Sequence, residues 1–88
     1  MDYNKPTERQ LQVLDIVADS IEARCFPPTF REIGEALGIS EWSGAGVSQH
    51  LDALARKGLI LRHSKVSRGI TLTEVGKTLA AERKAARR

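Results

Sequence analysis

Residues 29–58 read TFREIGEALGISEWSGAGVSQHLDALARKG, and this segment carries two helix signals separated by a glycine. The first four residues form a capping-box pattern, and Gly38 follows a short apolar stripe as a left-handed terminator. A longer periodic segment, about 43–57, then places apolar side chains on one face and stops at Gly58. A short capped helix, a glycine-containing turn and a longer second helix are typical of a helix-turn-helix.

Another helix precedes this segment. A second capping-box pattern begins at Thr7, and apolar residues recur behind it at helical spacing. We expect this helix to run from about Glu8 to about Arg24, where a Pro-Pro pair stops it.

Two short strands and a last helix are predicted after the segment. Apolar and β-branched runs at 59–63 and 70–72 flank a turn-rich connector at 64–69, which predicts a two-stranded hairpin. Because a lone hairpin is marginal in water, it must pack on the helices. Thr73 can cap a final helix that ends in a run of basic residues.

Bulk composition excludes several classes of protein. The 88 residues suffice for one domain, and 41% hydrophobic with 28% charged residues fits a globular chain. No apolar run approaches the roughly 20 residues of a membrane span, and the N-terminus lacks a secretory signal. The single cysteine, Cys25, suits a reducing cytosol, and we expect a buried or half-buried structural thiol. His50 and His63 have no nearby Cys or paired carboxylates, so neither a metal nor another cofactor is implied.

Charge is distributed unevenly along the chain. Residues 1–38 contain four Lys and Arg against seven Asp and Glu, whereas residues 39–88 contain ten against four. The second half therefore has the balance that a polyphosphate partner such as double-stranded DNA favours. A solvated basic face would give the same composition.

The outer face of the predicted recognition helix suits the DNA major groove. A helix fits this groove, roughly 12 Å wide, when its outward side chains are short or form hydrogen bonds. The outward positions carry Ser43, Ala45, Ser48, Gln49 and Asp52. Gln49 can pair bidentately with adenine, and Ser48 can donate to or accept from most base edges. Ordinary exposed polar residues would show the same pattern.

The hairpin connector offers a second contact beside that helix. Such a loop can reach phosphates or the minor groove, although a solvated turn is the alternative. Residues assigned to the DNA backbone or the wing are Arg31, Lys57, Lys65, Ser67 and Arg68.

These segments together resemble the N-terminal DNA-binding domain of LexA-type SOS repressors. The matching stretches, in the family's order and nearly at its spacing, are 7–10, 27–29 with 31–33, 36–38, 50–51 with 53–60, and 67–70. The resemblance implies a mainly α winged helix-turn-helix with a small β-hairpin: three helices, a two-stranded wing and an extra C-terminal helix. It divides the chain into a LexA-like DNA-binding domain over 1–72 and a basic C-terminal helix or tail over 73–88.

The chain departs from the family pattern around its recognition helix. The stretch from Gly38 to His50 is about two residues longer than in the family and contains Trp42, interpreted as a cap on the core rather than a base contact. In the family, the residues just before the matching His read the bases. The resemblance therefore assigns base reading to Ser43, Ala45, Gly46, Ser48 and Gln49. The match at these positions is poor, so the family's operator sequence is not carried over to this chain.

A second departure concerns the region after the wing. Family members continue into a self-cleaving protease domain with a Ser–Lys pair and the main dimer contacts. The chain stops at Arg88, so we expect no autoproteolytic control. We also expect no enzyme activity, because the sequence shows no catalytic constellation. Residues 73–88 can pack, dimerise or touch DNA, with a solvated tail as the default.

The leading hypothesis is a sequence-specific, double-stranded DNA-binding transcriptional regulator, acting as a repressor in a bacterial or phage-type cytoplasm. Specific sites generally contain two half-sites, which favours a homodimer at least on DNA. The alternative is a protein-interaction winged-helix module that modulates a full-length repressor, or binds another partner through Trp42 and the C-terminal helix.

Overall fold

The computed structural model describes residues 5–38, 44–63 and 68–87, without the side chains of residues 44 and 45. The described elements, in chain order, are α1 (Glu8–Arg24), α2 (Phe30–Ala36), α3 (Gly44–Arg56), β1 (Ile60–Arg62), β2 (Ile70–Leu72) and α4 (Glu74–Ala86). The prediction of a mainly α winged helix-turn-helix with one small hairpin is confirmed, and α1 has the predicted bounds.

Threonine caps begin three of the helices. The hydroxyls of Thr7, Thr29 and Thr73 each accept a hydrogen bond from the backbone N–H three residues on, at 3.2, 3.1 and 3.0 Å. In the first two cases the side chain of that third residue also reaches back to the N-cap N–H. Each such cap stabilises its helix by about 1 kcal/mol, so local chemistry fixes where these helices begin.

The core lies where α1, α2, α3 and the hairpin meet. Its fully buried aliphatic side chains are Val13, Leu14, Val17, Ile33, Val47, Leu51, Leu54 and Ile60. Helical periodicity predicts a buried face of α3 formed by Val47, Leu51, Leu54 and Ala55. The first three are buried and Ala55 is half-buried, whereas Ala53 is buried as well. Because α3 packs on α1, α2 and β1 together, its buried face is wider than one apolar stripe.

The hairpin presents one apolar face to this core. β1 and β2 are antiparallel, with Ile60 opposite Leu72, and both side chains point inward. Leu61 and its partner Thr71 lie on the exposed face. Since the two faces alternate along each strand, a three-residue ladder is enough to cover the end of the core.

Helix α4 approaches the chain backbone closely at Gly76. The Thr73 N–H donates to the Leu59 carbonyl at 3.2 Å, and the Thr73 hydroxyl donates to the Gly58 carbonyl at 2.6 Å. A Cβ at Gly76 would overlap the Leu59 carbonyl oxygen. The absence of a side chain at residue 76 therefore allows the first turn of α4 to pack on the segment before β1.

A row of ion pairs joins the far end of α4 to α1. Arg83 binds Asp15 bidentately, with Nε–Oδ1 and Nη2–Oδ2 distances of 2.9 Å. The flanking pairs are Arg83–Glu8 at 3.6 Å, Lys84–Glu22 at 2.6 Å and Arg87–Asp19 at 3.5 Å. The expectation of a solvated tail is therefore wrong for residues 74–87, because the acidic face of α1 holds the basic end of α4.

Cys25 also differs from the sequence-based expectation. It is exposed, and it forms the C-cap of α1 in the left-handed conformation, with φ of 67°. Its N–H donates to the Ile21 carbonyl at 2.8 Å. The prediction of a buried or half-buried thiol is wrong, since the turn that ends α1 points this side chain outward.

Candidate nucleic-acid interface

The polar face of α3 lies opposite its buried face. Gln49 and Asp52 are exposed there, and Ser48 and Gly46 are half-buried. Of the other predicted base-reading residues, Ser43 and the side chain of Ala45 lie outside the described residues, as does Trp42. The structure therefore brings Ser48, Gln49 and Asp52 together on the side of α3 that is available to a partner.

Arg62 connects the wing to this face. Its Nη1 donates to the Ser48 hydroxyl at 3.4 Å and is ion-paired with Asp52 Oδ1. The guanidinium also lies 5.1 Å from the ring centroid of Phe30 in α2. One side chain of β1 thus contacts both helices of the helix-turn-helix, which fixes the position of the hairpin beside α3.

Glu32 joins the other end of the wing to the start of α2. Its carboxylate accepts Arg68 Nη1 at 2.7 Å, Arg68 Nη2 at 3.2 Å, the Thr29 N–H at 2.8 Å and Arg24 Nη1 at 3.3 Å. The hydrogen bonds from Arg68, then from Thr29 and Arg24, lower the pKa of Glu32 from 4.5 to about 2. Glu32 is consequently a charged junction between α1, α2 and the wing.

Arg68 is directed inward at this junction. Besides Glu32, it donates to the Pro27 carbonyl at 2.9 Å and lies 4.6 Å from the Phe26 ring centroid. Its backbone is left-handed, with φ of 61°, at the end of the wing. These contacts hold the start of β2 against α2. The phosphate contact assigned to Arg68 stays a prediction.

The other residues assigned to contacts with the DNA backbone lie in different parts of the chain. Arg31 lies in the first turn of α2 with an 80% exposed side chain, 3.2 Å from Glu35. Lys57 directly follows α3 and is half-buried. Lys65 and Ser67 lie outside the described residues.

Sequence reasoning missed the junction around Glu32. The capping-box pattern identified Glu32 only as a local cap, and no local signal pairs it with Arg68, 36 positions away. Asp52 was recognised as an outward residue of the recognition helix, without its partner Arg62. Only the tertiary arrangement of hairpin and helices shows these two pairs.

Neither a membrane-spanning helix nor a metal-ligand cluster is present in the described part of the chain. Over residues 5–38, 44–63 and 68–87, no helix is long and apolar enough to cross a membrane. The same residues contain no group of three or more His, Cys, Asp or Glu side chains able to hold a metal ion.

Comparison with known proteins is consistent with this geometry. A family model described as the LexA DNA binding domain matches residues 3–69. Similar proteins include the LexA repressors of Geotalea uraniireducens, 50% identical over 68 residues, and Anaeromyxobacter dehalogenans, 48% identical over 71 residues. These alignments cover 77% and 81% of the chain, but only 33% and 30% of the respective relatives.

A LexA repressor of Teredinibacter turnerae is likewise 48% identical over 71 residues, covering 81% of the chain and 34% of that protein. The chain thus spans about a third of the length of the relatives it matches. The family match extends from before α1 through the residue that precedes β2, and so includes both helices of the helix-turn-helix and β1, the first strand of the wing. The chain belongs to the LexA DNA-binding domain family.

Proposed function

We propose that this chain is a sequence-specific, double-stranded DNA-binding transcriptional repressor. The observation that carries the proposal is the outward polar face of α3, buried on its other side, within a chain that matches the LexA DNA-binding domain. A helix presented in this way can enter the major groove. The relatives' name, LexA repressor, supports repression as the outcome of binding.

In this proposal α3 reads bases and the wing lies on the backbone or in the minor groove. The base-reading residues are Ser43, Ala45, Gly46, Ser48 and Gln49. The contacts with the DNA backbone come from Arg31, Lys57, Lys65, Ser67 and Arg68, and Arg68 also positions the wing through Glu32. Gln49, exposed on α3, has the amide that pairs bidentately with adenine.

The chain would act by occupying a promoter rather than by catalysis, in a bacterial cytoplasm. Two copies would bind two half-sites, since dimeric helix-turn-helix proteins commonly place one recognition helix in each. Dimerisation at least on DNA is therefore part of the proposal.

Salt dependence of DNA binding tests the proposal. Each neutralised phosphate contributes about 0.9 to the slope of log binding constant against log salt concentration, so two copies with four cationic contacts each give a slope of about −7. Fluorescence anisotropy of a labelled duplex, titrated between low and physiological salt, measures it. Arg31→Gln should reduce the slope by about 1 per chain and weaken binding to all sequences.

Lys77→Gln is the matched control, because Lys77 lies beside Glu74 on α4, which packs on α1 and β2. It should leave the slope unchanged. A flat salt response would contradict the proposal. Absence of binding at low salt, together with a co-purifying protein, would instead support the protein-interaction alternative.

A further inference from the structure

We propose that Arg62 sets the base preference of Ser48, by making the serine hydroxyl a hydrogen-bond donor toward DNA. Arg62 lies on the wing and Ser48 on α3, so this assigns a specificity role to a residue outside the recognition helix. The inference rests on the proposed function, because it presumes that α3 faces base edges.

The geometry gives the serine oxygen a defined role. Arg62 Nη1 carries two hydrogens, and it donates both to Ser48 Oγ, at 3.4 Å, and to Asp52. A guanidinium has donors and no acceptor, so Ser48 must accept. The contact with Phe30 and a side chain only 29% exposed restrict the guanidinium to this position.

The hydrogen-bonding capacity of a hydroxyl group determines what Ser48 can offer to a base. Serine has one O–H donor and two acceptor lone pairs. When Arg62 donates to one lone pair, the Ser48 hydrogen points away from Arg62 and becomes a stronger donor, while the oxygen becomes a weaker acceptor for another donor. In the major groove, guanine, adenine N7 and thymine O4 offer acceptors, whereas cytosine offers only its amino donor. Ser48 should therefore disfavour cytosine at the base it faces.

Arg62 has a second effect that is separable from the first. Asp52 is an exposed carboxylate on the face that approaches DNA, where phosphates repel it. The ion pair with Arg62 neutralises this charge. Loss of Arg62 should thus lower affinity for all sequences through Asp52, and relax base preference through Ser48.

The test measures binding to one selected site and to variants of it. A site is first selected with the wild-type protein, and the base pair facing Ser48 is the one whose preference Ser48→Ala abolishes. At that pair the wild type should prefer an acceptor base over cytosine by about three- to tenfold, the value of one hydrogen bond. Arg62→Met, which keeps an unbranched side chain beside Phe30 but removes the donor, should reduce this preference to less than about twofold.

Three further variants separate the two effects. Arg62→Met with Asp52→Asn should recover affinity without recovering base preference. Arg62→Lys, still a charged donor, should retain both. Arg56→Met is the matched control, since it removes an exposed arginine from the last turn of α3, and it should leave the preference at this base pair unchanged.

Thermal melting shows that each variant is folded. Retention of the wild-type preference by folded Arg62→Met would overturn the inference, as would loss of the preference in Arg62→Lys. If Arg62→Met does not fold, Arg62→Leu, which also removes the donor, takes its place, and retention of the wild-type preference by that variant overturns the inference in the same way. If no base pair loses its preference in Ser48→Ala, the inference is overturned although the proposed function stands. Failure of the wild type to select any sequence contradicts the proposed function itself.

Discussion

Removal of Arg83 should destabilise the protein far more than removal of its neighbour Lys84. Arg83 is the bidentate partner of Asp15, and the two side chains are 23% and 10% exposed. Arg83→Met leaves the Asp15 carboxylate buried without that partner, which in a fully buried pair costs about 3–5 kcal/mol. Because this pair is partly exposed, we expect a loss of about 2–3 kcal/mol.

Thermal denaturation followed by circular dichroism measures the effect. For a domain of this size a loss of about 2 kcal/mol lowers Tm by roughly 8–16 °C. Lys84→Met is the matched control: Lys84 sits on the same helix, 2.6 Å from Glu22, but the two side chains are 44% and 63% exposed. Solvent screening should limit its effect to less than about 1 kcal/mol.

The comparison of the two variants decides whether burial of an ion pair or the distance between its charges determines the loss of stability. Equal losses from Arg83→Met and Lys84→Met would refute the reasoning, because the Lys84 pair has the shorter distance. The double variant Asp15→Leu with Arg83→Met should recover part of the loss, since it removes both charges.

Three other predictions concern the backbone and the Glu32 junction. Gly76→Ala should lower the free energy of unfolding, measured by chemical denaturation, by about 1–3 kcal/mol, because the new Cβ overlaps the Leu59 carbonyl oxygen. A rise of about 1 kcal/mol, which helix propensity alone predicts, would contradict this packing. Cys25→Gly should stabilise by about 0.5–1 kcal/mol in the same assay by relieving the left-handed cysteine, and a loss would show that the side chain has another role. The folded protein holds the pKa of Glu32 below its ordinary value, at about 2. The difference in Tm between wild type and Glu32→Gln should therefore be largest above pH 4.5 and decline as pH falls toward about 2. A difference in Tm that does not change with pH would contradict the ion pairs at the Glu32 junction.

Local signals in the sequence accounted for most of the fold. The capping threonines Thr7, Thr29 and Thr73 each interact with the residue three positions on, within reach of a sequence pattern. The glycine after α2, Gly38, has the expected positive φ of 77°. Helix periodicity and the two β-branched runs located the remaining elements because neighbouring residues determine them.

Local sequence patterns could not predict the ion pairs between residues that are far apart in the chain. Asp15 and Arg83 are 68 positions apart, and only the packing of α4 on α1 brings them together. The charge imbalance between the two halves was interpreted as affinity for a polyphosphate. Part of it serves the fold instead, since Arg83, Lys84 and Arg87 pair with acidic residues of α1.

The candidate interface was predictable to a similar degree. The outward direction of Gln49 and Asp52 follows from helical periodicity and is observed. The contacts that Arg62 makes with Ser48 and Asp52 depend on how the hairpin crosses α3, which no local pattern fixes. The base-reading roles themselves remain predictions, since they depend on the DNA as well as on the chain.

Selection of bound sequences from random duplex DNA, with the wild type and Gln49→Ala in parallel, tests most directly whether α3 reads DNA. We predict that the wild type enriches one motif with two half-sites, and that Gln49→Ala loses the preference for adenine at one position of each half-site while keeping the rest. No enriched motif with the wild type, or an identical motif with Gln49→Ala, would contradict this account.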